Sequence, residues 1–198
     1  MKYILLFISS FMMLACTTTK PAITDFKLDV DLENIIVDAN GCKSKTIKVS
    51  KAFSEDSMKS LKMDYIQDKN KVFSYSQSQW LSSPSNIISK KIFFSLRDSK
   101  LFKYVNLDMS QSNSEYIMEI IIEDFMQYYT EQLDTSYVNV KININIIDTT
   151  DSSIVASQNF SSKVDTKSLD AQGGVEALNI ALSDVLKQNI KWLNGVCK

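Results

Sequence analysis

The segment Val138-Asn139-Val140-Lys141-Ile142-Asn143-Ile144-Asn145-Ile146 decides the fold of this chain. Every second side chain in it is valine or isoleucine, and every residue between them is asparagine or lysine. Because successive side chains of a β-strand point to opposite faces, this alternation predicts a strand with one buried and one wet face. The apolar face must be covered by another layer of structure.

Two more β-type segments flank this strand along the chain. Tyr116–Met126 is a long apolar run, and Ile154–Val164 follows the polar turn sequence at 148–153. Since short connections join antiparallel neighbours, the three segments predict an antiparallel meander. The last of the three strands is expected to turn Ala156, Phe160 and Val164 inward.

Extended patterns also occupy the first part of the chain. Alternation within Phe26–Val30 and Thr46–Phe53 predicts two strands. The segments Met58–Gln67 and Val72–Ser76 predict a hairpin, and the sequence Asp-Lys-Asn-Lys at 68–71 forms its turn.

One amphipathic helix is predicted after this hairpin. Pro84 suits the first helical position, and the Ser83 hydroxyl is expected to cap the helix start. Ile88, Ile92 and Leu96 then form an apolar stripe with a spacing of four residues.

A second amphipathic helix is predicted near the end of the chain, from about residue 175 to 193, with Gly195 as its terminating residue. The predicted fold class is therefore α+β, an antiparallel β-sheet with two amphipathic helices packed on one face.

The amino terminus has the features of a secretory signal. Lys2 precedes an apolar run from Tyr3 to Leu14, and Ala15 stands directly before Cys16. The run is shorter than the ~20 residues that a membrane-spanning helix needs. The sequence Met-Leu-Ala-Cys at 13–16 resembles a bacterial lipobox, in which the cysteine thiol receives a diacylglycerol and becomes the new amino terminus.

This signal predicts the organisation of the chain. Residues 1–15 would be a lipoprotein signal peptide, residues 16–24 a lipidated amino terminus and tether, and residues 25–198 a single periplasmic α+β domain. Two or three acyl chains anchor a protein durably, whereas one holds it only marginally. The alternatives are an ordinary signal peptide with an incidental Cys16, or a single-span anchor. Thr17, where aspartate marks retention at the inner membrane in many bacteria, favours the outer membrane.

The composition argues against several classes of function. The chain has no histidine, which excludes a Ser-His-Asp triad, a Cys-His dyad and a His-ligated zinc site. Its four glycines form no phosphate-binding loop. Basic and acidic residues number 22 and 23, and Arg97 is the only arginine, so nothing indicates nucleic-acid binding. We expect no enzymatic activity, no cofactor and no metal.

Cys42 and Cys197 are the remaining cysteines. The periplasm is oxidising, so a disulfide between them is one reading, and two unpaired thiols are the other. A disulfide would fix the end of the chain to an early loop beside Gly41.

Several apolar and charged side chains have both a functional and a purely structural interpretation. Trp80 is either an exposed anchor for a partner protein or part of the core beneath the helix start. The aromatic-rich group 125–129 either meets lipid or packs under a helix. The lysines in 43–51 either touch anionic headgroups or form a solvated strand face. The aromatic-rich group consists of Phe125, Met126, Tyr128 and Tyr129. The lysines are Lys43, Lys45, Lys48 and Lys51.

Asp148 and Asp151 lie in the polar turn before the last strand. They lack the alternating ligands, the glycine and the closing glutamate of a calcium-binding EF-hand, and we interpret the segment as a turn.

From Val72 onward the chain resembles the ABC-type transport auxiliary lipoproteins, a family that includes the PqiC-like proteins. The likeness spans roughly residues 26–193 and is motif-like only in 72–105, where Ser82-Ser83 and Lys100 depart from the family pattern. The residues that carry it are Tyr75, Gln79-Trp80, Pro84, Leu96, Ser99-Lys100-Leu101-Phe102 and Val105, with later support from Phe160, Asp170-Ala171 and Trp192.

This resemblance implies a non-catalytic role beside other proteins. Such lipoproteins accompany an ABC permease, its ATPase and an MCE-domain protein, which together are thought to move lipids or other apolar compounds between the two envelope membranes. Tyr75, Trp80 and Pro84 would then contact a partner, Cys16 would carry the lipid, and the protein would face the periplasm from the outer membrane. A homo-oligomer is compatible with this role. The alternative is an outer-membrane assembly lipoprotein of the LptE type, which docks to a β-barrel.

Overall fold

The computed structural model describes residues 21–30 and 41–197. The expected signal peptide and Cys16 lie outside these residues, and only Pro21 to Thr24 of the expected tether lie within them. Among the described helices, the longest and most apolar stretch falls short of what crossing a bilayer requires.

The α+β class is confirmed: within the described residues, eight strands form one sheet and two α-helices lie against it. The elements in chain order are β1 (Thr24–Phe26), β2 (Thr46–Val49), a short 3-10 helix (Asp56–Lys59), β3 (Lys62–Gln67), β4 (Lys71–Trp80), α1 (Pro84–Ser99), β5 (Tyr104–Leu107), β6 (Tyr116–Tyr129), β7 (Ser136–Asp148), β8 (Ile154–Asp165) and α2 (Ala171–Val196).

Strands β6, β7 and β8 form the expected antiparallel meander. The five apolar residues of β7 that alternate with polar ones are all at most 2% exposed, and they face α2. Phe160 of β8 is buried as predicted, whereas Ala156 and Val164 are only half-buried. The deciding segment thus folds as its period of two predicts.

The sheet is mixed rather than antiparallel throughout, which corrects the expectation. Strand β6 is long enough to accept two short parallel strands on its second edge: β2 pairs with 116–118, and β3 pairs with 127–129. Strand β5 continues the sheet beyond β2, and β4 and then β1 continue it beyond β3. The parallel pairings arise because long stretches of chain separate these partners, which allows the crossover that a parallel pair needs.

The first strand is also shorter than expected. It covers Thr24–Phe26 instead of Phe26–Val30 and runs parallel to the end of β4. Leu28 and Val30 are buried without being in a strand, because their apolar side chains fill the core beside the helices. The alternation of apolar residues at Leu28 and Val30 therefore reflects their burial in the core and not pairing in the sheet.

Helix α1 buries the predicted stripe completely: Ile88, Ile92 and Leu96 are each 0% exposed. The expected cap by the Ser83 hydroxyl is wrong, since its side chain makes no capping hydrogen bond. The Ser83 carbonyl instead accepts from the N–H groups of Asn86 and Ile87 at 3.1 Å each. The helix ends at Ser99, and the next residue, Lys100, has a φ of 56° in the left-handed region.

Helix α2 begins four residues before the predicted start. The Asp170 carboxylate caps it by accepting from the Gly173 N–H at 2.8 Å, which also holds the pKa of Asp170 below its usual value. A Cβ on Gly174 would lie 2.1 Å from Gln127 Oε1, so a side chain at this position would displace the buried Gln127 amide on β6. Gly195 does not end the helix, which continues to Val196.

A disulfide joins Cys42 to Cys197, directly after α2. Of the two sequence alternatives, the structure thus has the bridge. The two Cα atoms are 5.1 Å apart, although 155 positions separate the residues in sequence. The bond fixes the end of the last helix to the loop that enters β2.

We predict that replacing both cysteines, Cys42→Ser with Cys197→Ser, lowers the free energy of unfolding by about 2 to 5 kcal/mol. The reason is that closing so long a loop removes much conformational entropy from the unfolded chain. Urea unfolding followed by circular dichroism measures the change. A reducing agent should reproduce it in the native protein and have no effect on the double variant, and equal stability of the two proteins without reductant would contradict the prediction.

Candidate interaction surface

The three residues expected to contact a partner lie close together, but inside the protein. Trp80 is 5% exposed, Pro84 is buried and Tyr75 is half-buried. With Met63 and Phe125 they line a cavity of about 20 Å³. That volume holds about one water molecule and leaves no room for a larger ligand.

Trp80 is therefore not the exposed anchor that one interpretation proposed. It occupies the last position of β4, where its ring lies 6.1 Å from that of Phe125 on β6. Pro84 begins α1 directly above this strand end, and the ring stays covered. The Trp-to-Pro spacing thus builds the junction between sheet and helix, not a surface for docking.

Tyr75 belongs to a polar network below this junction. Its hydroxyl lies 2.6 Å from the Tyr129 hydroxyl and 3.0 Å from Gln127 Oε1. Gln127 Nε2 donates to the Tyr129 hydroxyl at 3.0 Å and to Ser136 Oγ at 3.1 Å. Burial is the main cause that raises the pKa of Tyr75 and of Tyr129. The network satisfies the buried amide of Gln127, which is the reason polar groups are tolerated there.

The aromatic-rich group at the end of β6 does not form one cluster. Phe125 and Tyr129 face the core, at 4% and 7% exposure, while Met126 and Tyr128 point to the opposite face of the sheet. Tyr128 stacks on Tyr137 at 5.2 Å between ring centroids, and its hydroxyl donates to Asp124 at 2.7 Å. Strand alternation divides the group between the two faces, so it forms neither a lipid groove nor a buried hairpin end.

The lysines of 43–51 have separate roles. Lys48 is half-buried and donates to the Ser110 carbonyl at 3.0 Å, so it holds the loop after β5 in place. Lys51 is exposed and lines a groove between α1 and β5. Lys43 and Lys45 stay in the entry to β2.

Asp148 and Asp151 form the predicted turn. They accept from the N–H groups of Thr150 and Ser153 at 2.8 and 2.9 Å, as residues do in tight polar loops. Within 21–30 and 41–197, no group of three or more acidic or cysteine side chains is placed to hold a metal ion.

A surface that the sequence analysis did not identify lies between α1 and the edge strand β5. A groove of about 180 Å³ runs there, and apolar side chains form much of its wall. We call it the α1–β5 surface and define it by Val49, Lys51, Lys90, Phe93, Phe94, Arg97, Leu107 and Met109.

Large apolar side chains on this surface meet water. Met109 is 87% exposed, Leu107 45% and Phe94 41%. Phe93 and Phe94 contact each other edge to face at 5.5 Å, and the Arg97 guanidinium lies 4.8 Å from the Phe94 ring centroid. Exposed aromatic, methionine and arginine side chains are enriched where proteins contact each other.

The charges around this groove are mainly positive. Lys51 and Lys90 line it together with a single acidic residue, Asp108. Arg97 pairs with Asp98 at 2.7 Å, which raises the pKa of Arg97. The groove is smaller than the ~300 Å³ of a typical small-molecule pocket. It therefore suits the side chains of another protein better than an enclosed ligand.

The sequence did carry a signal for this surface. Ile88, Ile92 and Leu96 already supply the buried stripe of α1, so Phe93 and Phe94 lie outside it. Phe93 packs partly against the core, and Phe94 is exposed. Two phenylalanines outside the stripe indicate that the helix contacts something on a second side.

Comparison with solved structures shows that the fold is shared. A Xanthomonas campestris protein of the DUF330 family matches with a TM-score of 0.72 and 17% identity, over 89% of this chain and 93% of that one. A protein described as uncharacterized matches with a TM-score of 0.67 and 8% identity, over 87% and 99%. The hypothetical protein CT253 of Chlamydia trachomatis reaches 0.52 and 8% identity, over 78% and 98%. No protein-family model and no curated protein sequence matches this chain. At these identities the likeness establishes the fold alone.

We predict that Trp80→Ala lowers the free energy of unfolding by about 3 to 5 kcal/mol, because it leaves a cavity beside Phe125. The adjacent Leu81 is 57% exposed and provides a matched control. Leu81→Ala should change stability by no more than about 0.5 kcal/mol. Urea unfolding of the two variants measures both effects, and similar small losses would show that the Trp80 ring is not part of the core.

Proposed function

We propose that this protein is a lipid-anchored envelope lipoprotein without catalytic activity of its own. The observation that carries the proposal is the sequence Met-Leu-Ala-Cys at 13–16 behind a short apolar run. The near-neutral charge and the lack of histidine fit a protein that holds others in place. The disulfide fits an oxidising compartment such as the periplasm.

The tether sets how far the domain stands from the membrane. Strand β1 begins at Thr24, so Thr17 to Ile23 connect the acylated Cys16 to the sheet. Seven extended residues span at most about 25 Å. The domain would thus remain within one protein diameter of the bilayer, facing the periplasm from the outer membrane.

Within this role we propose that the protein is an auxiliary component of an ABC/MCE-type system that moves lipids or other apolar compounds across the envelope. The sequence resemblance in 72–105 supports this proposal. The buried positions of Trp80 and Pro84 move the partner contact away from these residues. The α1–β5 surface offers the exposed aromatic and methionine side chains that such a contact uses.

We predict that Cys16→Ala releases the protein from membranes. The wild-type chain should carry the mass of its acyl chains on residue 16 and sediment with membranes, because two or three chains anchor durably. Mass spectrometry and membrane fractionation measure these two properties. The double variant Cys42→Ser with Cys197→Ser is the control and should remain membrane-bound. An unmodified Cys16 in the native protein would overturn the lipoprotein proposal.

We predict that Phe94→Ser weakens binding of a purified MCE-domain protein from the same envelope system by about tenfold or more, as expected for an aromatic side chain central to a contact. Leu133→Ser is the control, because Leu133 is 46% exposed in the β6–β7 loop, away from the α1–β5 surface. Surface-immobilised binding measurements compare the two variants. Equal affinities would exclude the α1–β5 surface as the contact, and capture of an outer-membrane barrel protein instead would favour the assembly-lipoprotein alternative.

A further inference from the structure

Among the described residues, no strand pairs with the second edge of β8, and β7 is its only partner strand. The N–H of Thr166, just after β8, donates to the Ser136 carbonyl at 3.0 Å. Because backbone groups alternate in direction along a strand, even-numbered residues from 156 to 164 bond to β7, and odd-numbered residues from 157 to 165 direct their N–H and C=O groups outward.

The middle of this edge has little of the usual protection against pairing. A bulge at Val155 interrupts the start of β8, and Gln188 of α2 reaches one outward carbonyl, that of Ser161. Natural monomers interrupt an exposed edge with proline, inward charges or bulges. The middle of β8, residues 156–162, contains no proline and no charged residue. The Lys163 ammonium lies 3.6 Å from the centroid of the Tyr137 ring, on the open face of the sheet and away from the edge. Residues 156–162 therefore leave room for another strand to pair.

Helix α2 runs beside this edge and defines what can pair with it. It packs against β7 and β8, with Gln188 Nε2 donating to the Ser161 carbonyl at 3.4 Å. The Trp192 ring contacts Phe160 edge to face at 5.6 Å. A groove of about 640 Å³ lies between the helix and the strand.

We propose that a second copy of this chain occupies the edge, with β8 antiparallel to β8 of the second copy and Ser161 at the two-fold axis. In this register, the residues whose backbone N–H and C=O groups point outward lie opposite the corresponding residues of the second copy. Asn159 lies opposite Lys163 of the second copy, and Ser157 lies opposite its Asp165, so no like charges meet. The eight-stranded sheet becomes continuous through both copies.

The same axis brings the two α2 helices into contact. Neighbouring strands are ~4.8 Å apart, and α2 lies over β7 and β8, so the two helices would be about 10 Å apart, which is a normal packing distance. Because Gln188 sits beside Ser161, the axis also passes near Gln188.

Charge complementarity supports this register. Asp184 lies four residues before Gln188, and Lys191 lies three residues after it; both are exposed. In an antiparallel helix pair centred on Gln188, Asp184 lies opposite position 192 and therefore next to Lys191 of the second copy, and the pairing occurs twice. Within one copy, Asp184 Oδ2 accepts from Gln188 Nε2 at 3.0 Å. Such flanking charges commonly fix the partner and the register of packed helices.

The test measures self-association of the full chain in density-matched detergent by sedimentation equilibrium. The wild-type protein should form a dimer, and Asp184→Lys or Lys191→Asp should each raise its dissociation constant at least about tenfold. The double variant Asp184→Lys with Lys191→Asp exchanges the two charges and should restore dimerisation. Circular dichroism of all variants establishes that each is folded, and the restored double variant does so independently.

Ser161→Pro tests the strand pairing separately. It removes an N–H that β7 does not use, and an edge strand tolerates proline at such a position, so the monomer should fold and the dimer should be lost. Ser161→Ala keeps the N–H and should still dimerise. A wild-type protein that is monomeric at all concentrations, an assembly that is not a dimer, or a dimer that neither the charge reversals nor Ser161→Pro weakens would each overturn the proposal.

Discussion

The long antiparallel pairing of β6 with β7 is the constraint on which the rest of the structure depends. Most of its inner face consists of valine, isoleucine and methionine side chains that are almost fully excluded from water, with Phe125, Gln127, Tyr129 and Ser136 at one end. Burying apolar surface contributes about 25 cal/mol per Å² to the free energy of folding. Covering the inner face of so long a strand pair is therefore the main favourable contribution. Helices α1 and α2 cover this inner face, and the short strands β2 and β3 pair with the edge of β6 that β7 leaves open.

The second edge of β6 explains why the sheet is mixed. The strand exceeds the length of β2 and β3, so each takes one part of the edge, and a single bridge from Phe53 to Ile121 connects the two parts. Both pairings are parallel, and the long stretches of chain between these strands and β6 supply the crossovers that parallel pairs need. The result is a sheet with two branches on one side of β6 and the regular meander on the other.

Local patterns predicted this fold well and long-range pairings poorly. The period of two in β7, the stripe of α1 and the polar turn at 148–153 each depend on neighbouring residues, and the structure has all three. The parallel partners of β6 depend on residues far apart in sequence, which a pattern of alternation does not encode. The register shift between Ile122 and Asp124 is another example. It moves the inward positions to Phe125, Gln127 and Tyr129, and nothing in the sequence of β6 marks it.

The residues considered for partner contact show the same contrast between local patterns and long-range contacts. The sequence left open whether Trp80 is an exposed anchor or part of the core, because the strand and the helix that bury it meet only in the folded chain. Phe94 could have been identified, because it lies outside the stripe that α1 buries and is exposed.

The proposed anchoring and the proposed dimer are geometrically compatible. A two-fold axis that joins β8 strands in one continuous antiparallel sheet is perpendicular to that sheet, so both copies present the same face in the same direction. Both acylated amino termini then start at equal height above a membrane that lies normal to the axis, and each tether of about 25 Å can reach it. The α1–β5 surfaces lie at the two far ends of the joined sheet, because β5 and β8 are edge strands on opposite sides of β6. A dimer on the membrane would therefore keep both of these surfaces free for partners, and self-association would not compete with docking.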